Sequence, residues 1–221
     1  MIRKNTFTIP GLTENFTQSP FSQLVSEDSY HLYLAVQSRI TQLASSDRLE
    51  ILDLGTGCGI ILLMLAKDWA TPFYTGIELL ESLTEIATAN FRRLIECVGH
   101  RDYALFTADY SHLEHLLPDK KFHLIVSNPP YYPKGMGKLN PVYEKAVARH
   151  ELVGNMATLL QTIKKFLSPD GRAYVLYPEK RQTEVKRLCH QNQLTIQAEQ
   201  YVDATATKKK IIYEILPNFP S

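Results

Sequence analysis

Apolar residues recur along this chain in two periods. Short apolar runs bounded by turn residues alternate with longer segments in which apolar positions return every three or four residues. The first pattern suits buried strands and the second amphipathic helices. Residues 1–26 are rich in Thr, Ser, Asn and Pro and read as irregular. A helix is predicted over 27–44, with Tyr30, Leu34, Ile40 and Leu43 among its spaced apolar positions. Strand and helix then alternate: strand 49–54, helix 60–69, strand 73–77, helix 79–98, strand 103–107, and a short helix 111–117 ended by Pro118. Strand 122–126 and helix 152–167 follow, then Ser168-Pro169-Asp170-Gly171, a strong turn signal, strand 172–177 and helix 179–191. Residues 194–202 and 209–216 are two last strands with no helix between them.

This order implies an α/β fold with a mostly parallel, seven-stranded sheet, helices on both faces and an antiparallel C-terminal edge pair. It divides the chain into an N-terminal extension with one helix, 1–48, packed on a larger domain, 49–221. Ligands of such sheets bind beyond the carboxyl ends of the strands. Four groups follow predicted strand ends: the glycines of Asp53-Leu54-Gly55-Thr56-Gly57-Cys58-Gly59, the acid Glu78, the acid Asp109, and Asn128-Pro129-Pro130-Tyr131.

The glycine loop follows a strand and opens a helix, the setting in which glycines permit positive φ and close approach of a ligand to the backbone. No Lys follows it as in a phosphate-binding loop, and its glycines fall at every second position, unlike a dinucleotide fingerprint. A ligand without phosphate, such as S-adenosylmethionine, fits such a turn. Asp53, Gly55, Thr56, Gly57 and Gly59 are the expected cradle. Glu78, followed by Leu79, is placed to accept from ribose hydroxyls. Asp109 is placed to accept from an adenine amino group, with Tyr110 as an apolar wall, or else to cap the short helix after it.

Asn128-Pro129-Pro130-Tyr131 suits chemistry on a planar amine. The side-chain oxygen of Asn128 and the carbonyl of Pro129 can accept from its two hydrogens, draw nitrogen towards tetrahedral geometry and stabilise its growing positive charge. Prolines stiffen the loop, and Tyr131 offers a face on which to stack the substrate. The two motifs together predict methyl transfer from S-adenosylmethionine to an amino or amide nitrogen, with Asn128, Pro129 and Tyr131 catalytic and Asn128 also touching the cofactor. The segment after them carries Lys134, Lys138, Lys145 and Arg149 against one acid, Glu144, and suits a phosphate backbone.

Composition narrows the partners. A net charge of +1 excludes a whole-protein basic field, though not a local basic patch. No apolar run approaches the roughly 20 residues of a membrane span, and polar residues follow the basic start of the chain. Neither membrane nor signal peptide is therefore expected, and a cytoplasmic location is. Cys58, Cys97 and Cys189 are too widely spaced for a disulfide framework or zinc site and read as buried or half-buried thiols, with no metal.

Over residues 49–217 these features resemble the class I Rossmann-like S-adenosylmethionine-dependent methyltransferases. Within that class the chain is similar to the tRNA adenine-N6 methyltransferases, through Ile125-Val126-Ser127-Asn128-Pro129-Pro130-Tyr131-Tyr132 and the later Ala148-Arg149-His150-Glu151. The resemblance implies an adenine in structured RNA as acceptor, probed by Pro130, Tyr131, Tyr132, Lys134, Lys138, Arg149 and His150, in a monomer or weak homodimer. That group usually carries a phenylalanine-rich strand and a Gly-Thr-Asp segment before the glycine motif; here only Phe16-Thr17-Gln18-Ser19-Pro20-Phe21 stands there. Three alternatives share parts of the pattern. A release-factor glutamine methyltransferase usually has a larger helical N-terminal domain. A DNA adenine methyltransferase often has a separate recognition domain. A non-catalytic subunit of the same fold would tolerate loss of motifs that are intact here.

Overall fold

The computed structural model describes residues 5–19, 27–43, 48–129, 155–203 and 209–218. Seven strands form one sheet: β3 (Glu50–Leu54), β4 (Phe73–Glu78), β5 (Asp102–Thr107), β6 (Phe122–Ser127), β7 (Leu167–Pro178), β8 (Leu194–Asp203) and β9 (Lys209–Pro217). Their order is β5-β4-β3-β6-β7-β9-β8. The first five are parallel, whereas β9 runs antiparallel to both β7 and β8. Chain order reverses between β3 and β6, the switch point at which ligands enter such sheets.

Alternate residues of each strand feed opposite layers. Ile51, Tyr74, Leu124, Val126, Tyr174 and Ile212 face a layer built with α1 (Glu27–Leu43), α2 (Ile60–Asp68) and α3 (Glu81–Val98). Leu52, Leu54, Ile77, Ile125, Val175 and Tyr213 face the layer of α4 (Leu113–Leu116), α5 (Met156–Phe166) and α6 (Gln182–Gln191). Helix α2 is buried from Ile60 through Ala66 without a break, which explains its lack of a polar face. Each of its large aliphatic side chains stabilises the fold by about 1.5–3 kcal/mol.

Three expectations change. Residues 5–18 of the N-terminal segment are not irregular: β1 (Asn5–Thr8) and β2 (Asn15–Gln18) form an antiparallel hairpin with Phe7 opposite Phe16. Phe7, Ile9 and Phe16 are buried in the same layer as α1 and α2, and Lys67 on α2 donates to the carbonyl of Pro10 at 2.8 Å. The turn at Ser168-Pro169-Asp170-Gly171 lies inside β7, which leaves α5 without a loop. Phe122 pairs with Leu167 and Leu124 with Arg172, so the intervening residues bulge out of the ladder. The bulge is tight at Gly171, where a Cβ would lie 2.7 Å from Leu167. Finally, Cys58 and Cys189 are buried thiols but Cys97 is exposed on α3. Among the described residues no helix is long and apolar enough to cross a membrane.

Candidate active site

Strands β3 and β6 are neighbours in register, with Asp53 opposite Val126, so the glycine loop and Asn128 leave the same rim side by side. Beyond the ladder, the Ser127 hydroxyl donates to the Leu54 carbonyl at 2.7 Å in a fully buried position. This bond continues the pairing one step past the last backbone bridge and holds the start of one motif against the start of the other.

Gly55, Gly57 and Gly59 have φ of 80°, 57° and 87°, a region that residues with a Cβ adopt only at a cost. Among the described residues nothing lies within 4 Å of where a Cβ would stand at Gly55 or Gly57, so the loop presents bare backbone on that side. From below it is pinned. The Gly55 and Thr56 amides both donate to the Ile77 carbonyl, at 2.9 and 3.0 Å, and the Gly59 amide donates to the Thr56 carbonyl at 2.8 Å. Gly59 then caps α2 without a side-chain hydrogen bond, leaving the helix's positive end at the loop.

Two acids are buried here. Glu78 accepts from the Gly57 amide at 2.8 Å and from the Leu80 amide at 3.0 Å, so it staples the glycine loop to the turn after β4. Burial lifts its carboxyl above the ordinary range, against the opposing pull of those amides. Asp53 is 1% exposed and accepts from the Thr56 hydroxyl at 2.9 Å. Its other oxygen, Oδ1, is buried with no hydrogen-bond partner among the described residues. Burial pushes the Asp53 carboxyl up to about 7; the Thr56 bond opposes this and the charge of Glu78 adds to it. A buried carboxylate oxygen without a donor, a second lifted acid and a bare glycine backbone suit a cationic ligand rich in donors. S-adenosylmethionine, with its sulfonium, amino group and ribose hydroxyls, fits that set.

The other predicted residues divide clearly. Leu79 is half-buried beside Glu78. Asp109 accepts from the Ser111 amide at 2.8 Å and caps the 3-10 turn Tyr110–His112, the capping role among the two expected of it. Its neighbour Ala108 is tied to the Glu78 carbonyl at 2.8 Å, and the Tyr110 carbonyl accepts from Thr162 of α5 at 3.2 Å. Asn128 is half-buried and Pro129 buried. Pro130, Tyr131, Tyr132, Lys134, Lys138, Arg149 and His150 lie outside the described residues. Among the described residues no group of three or more His, Cys, Asp or Glu side chains is arranged to hold a metal.

Sequence reasoning passed over two residues that the structure brings to the loop. One is Ser127, quoted within its motif but given no role. The other is Asn90 of α3, 2% exposed, which donates to the Cys58 carbonyl inside the loop at 3.0 Å. Its signal was present: Asn90 stands in line with Leu83, Ala87 and Leu94, a polar residue in an otherwise apolar buried stripe of α3.

A family model described as a methyltransferase domain matches residues 45–218. The chain is 32% identical over 175 residues to a tRNA1(Val) (adenine(37)-N6)-methyltransferase of Flavobacteriaceae bacterium (strain 3519-10), covering 78% of this chain and 71% of that one. It is 37% identical over 131 residues to a protein of the same name from Pedobacter heparinus, covering 59% of this chain and 53% of that one. Among solved structures, a 16S rRNA methyltransferase of T. thermophilus in complex with AdoMet and guanosine superposes with a TM-score of 0.63 at 18% identity, over 98% of this chain and 50% of that one.

Proposed function

Because this chain belongs to the methyltransferase-domain family and is an S-adenosylmethionine-dependent methyltransferase, we propose that its acceptor is the exocyclic N6 amine of an adenine in a tRNA. The observation that carries the reading is the adjacency of the glycine loop and Asn128 on paired strands, Asp53 opposite Val126, in a chain similar to proteins named for adenine-N6 methylation of tRNA.

S-adenosylmethionine, when bound, supplies an electrophilic methyl group. The protein's work is to hold and orient the acceptor. In this proposal Asp53, Gly55, Thr56, Gly57 and Gly59 cradle the donor, Glu78 and Leu79 meet its ribose, and Asp109 and Tyr110 border its base. The adenine amine is a weak nucleophile because its lone pair is delocalised into the ring. The Asn128 side-chain oxygen and the Pro129 carbonyl accept its two hydrogens, fix its plane and stabilise the positive charge that develops on nitrogen. The methylated nitrogen is acidic and releases its proton to water, so no strong base is required. Tyr131 stacks on the base, which must be unpaired or flipped to reach the pocket. Pro130 and Tyr132 border that pocket with Arg149 and His150, and Lys134 and Lys138 meet the phosphate backbone.

The test is transfer of labelled methyl into an extract from cells that lack this protein, divided between nuclease and protease digestion. Label released by ribonuclease supports the reading. Label that resists nuclease and yields to protease overturns it in favour of a protein glutamine acceptor, and label released only by deoxyribonuclease overturns it in favour of DNA.

A further inference from the structure

We propose that Asn90 is a positioning residue through which the N-terminal hairpin sets the shape of the glycine loop, so that docking of the hairpin controls affinity for the methyl donor. The inference rests on the donor half of the proposed function and not on the identity of the acceptor.

Among the described residues strand β2 pairs with a strand on one edge only, that facing β1. On its other edge the Thr17 amide donates to Asn90 Oδ1 at 2.9 Å, and the Thr17 carbonyl accepts from Asn90 Nδ2 at 2.8 Å. The side-chain amide thus completes β2 as the peptide of a third strand would. The same Nδ2 donates its second hydrogen to the Cys58 carbonyl at 3.0 Å. One acceptor and two donors are needed at one buried point, and an Asn side chain has that number at that length. Asp lacks both donors, and Leu and Ala lack all three groups.

The Cys58 carbonyl and the Gly59 amide are two ends of one rigid peptide. Holding the carbonyl on Asn90 therefore aims the amide at Thr56, which it meets at 2.8 Å, and sets the φ of 87° from which α2 starts. With Asn90 replaced, this peptide loses one of its two restraints and the cradle samples other orientations. The hairpin itself keeps its buried Phe16 and the Lys67 contact to Pro10, so it remains docked. The effect on the donor is thereby separable from loss of the fold.

The experiment is calorimetric titration of the full chain with S-adenosylmethionine. Asn90→Ala and Asn90→Asp are each expected to weaken binding about ten-fold, the scale of one buried hydrogen bond to the loop, while both unfold cooperatively above the assay temperature. Phe16→Ala, which loosens the hairpin from the core, is expected to weaken binding in the parent but not further in the Asn90→Ala background, since both changes release the same restraint. Unchanged affinity in a folded Asn90→Ala protein, or independent losses that multiply, would overturn the proposal. Hydrogen exchange on the unmutated chain tests it without any variant: the donor should protect the Thr17 amide together with those of Gly57 and Gly59, and protection of the loop alone would overturn it. A parent chain that fails to bind the donor refutes the cofactor site itself. A parent that binds it but methylates no RNA leaves every comparison above intact.

Discussion

Replacing Asp53 by Asn isolates the charge of the group buried beneath the glycine loop. Among the described residues the carboxyl has one hydroxyl partner, Thr56, and one buried oxygen with none, and its pKa is pushed from 3.8 up to about 7. A raised pKa means that the folded chain binds this proton more tightly than the unfolded chain does. The group's contribution to stability is therefore fully present below about pH 4 and is lost as pH rises through about 7. A displacement from 3.8 to about 7, at about 1.4 kcal/mol per unit, corresponds to about 4 kcal/mol over that window. The amide in Asp53→Asn does not titrate, so this part of the slope should vanish in the variant, while the part due to Glu78, also lifted by burial, remains. Urea unfolding of the donor-free chain at several pH values between about 4 and 8 measures it. The parent should lose a few kcal/mol relative to Asp53→Asn across the window, and S-adenosylmethionine should flatten the parent's slope by stabilising the ionised form. Parallel profiles for parent and variant would show that Asp53 ionises freely in the fold and would refute the reasoning.

Asn128→Ala should abolish methyl transfer while calorimetric donor affinity stays within a few-fold of the parent, because the acceptor loses its fixed hydrogen-bond partner while the donor loses one contact and keeps the glycine loop and Glu78. Glu78→Ala should weaken donor binding by about 1.5–3 kcal/mol by the same titration, the scale of hydrogen bonds to a charged group, and it also frees the Gly57 and Leu80 amides. Ser127→Ala strips the buried Leu54 carbonyl of its hydroxyl partner and should lower stability by about 1 kcal/mol in urea, with a fall in turnover larger than any change in donor affinity.

Strands β3, β4 and β6 were legible because they are buried on both faces and read as apolar runs, followed at the rim by Gly55, Glu78 and Asn128. The hairpin was not, because β1 and β2 are four residues each. Thr6-Phe7-Thr8-Ile9 and Asn15-Phe16-Thr17 do alternate polar and apolar, but over too few positions to stand out in a segment otherwise rich in Thr, Ser, Asn and Pro. Its order comes from partners far along the chain, Lys67 and Asn90. The Ser168-Pro169-Asp170-Gly171 signal marked extra residues and not a chain reversal: β6 pairs in parallel on either side of it, and β7 absorbs it as a bulge. At the rim, residue type and strand end identified which acids to examine and not what they bond. Glu78 carries the glycine loop as well as standing at the expected place, and Asp109 uses its Oδ1 to cap the turn after it. Those roles depend on which amides the turns aim at each acid, a property of the folded loops.

The most direct test of the central claim is mass spectrometry of nucleosides from unmodified tRNA transcripts incubated with this protein and S-adenosylmethionine. N6-methyladenosine is expected in the digest, and none when Asn128→Ala replaces the parent. Unmodified nucleosides from tRNA, with methyl appearing instead on a glutamine of a release-factor protein offered in the same reaction, would contradict it.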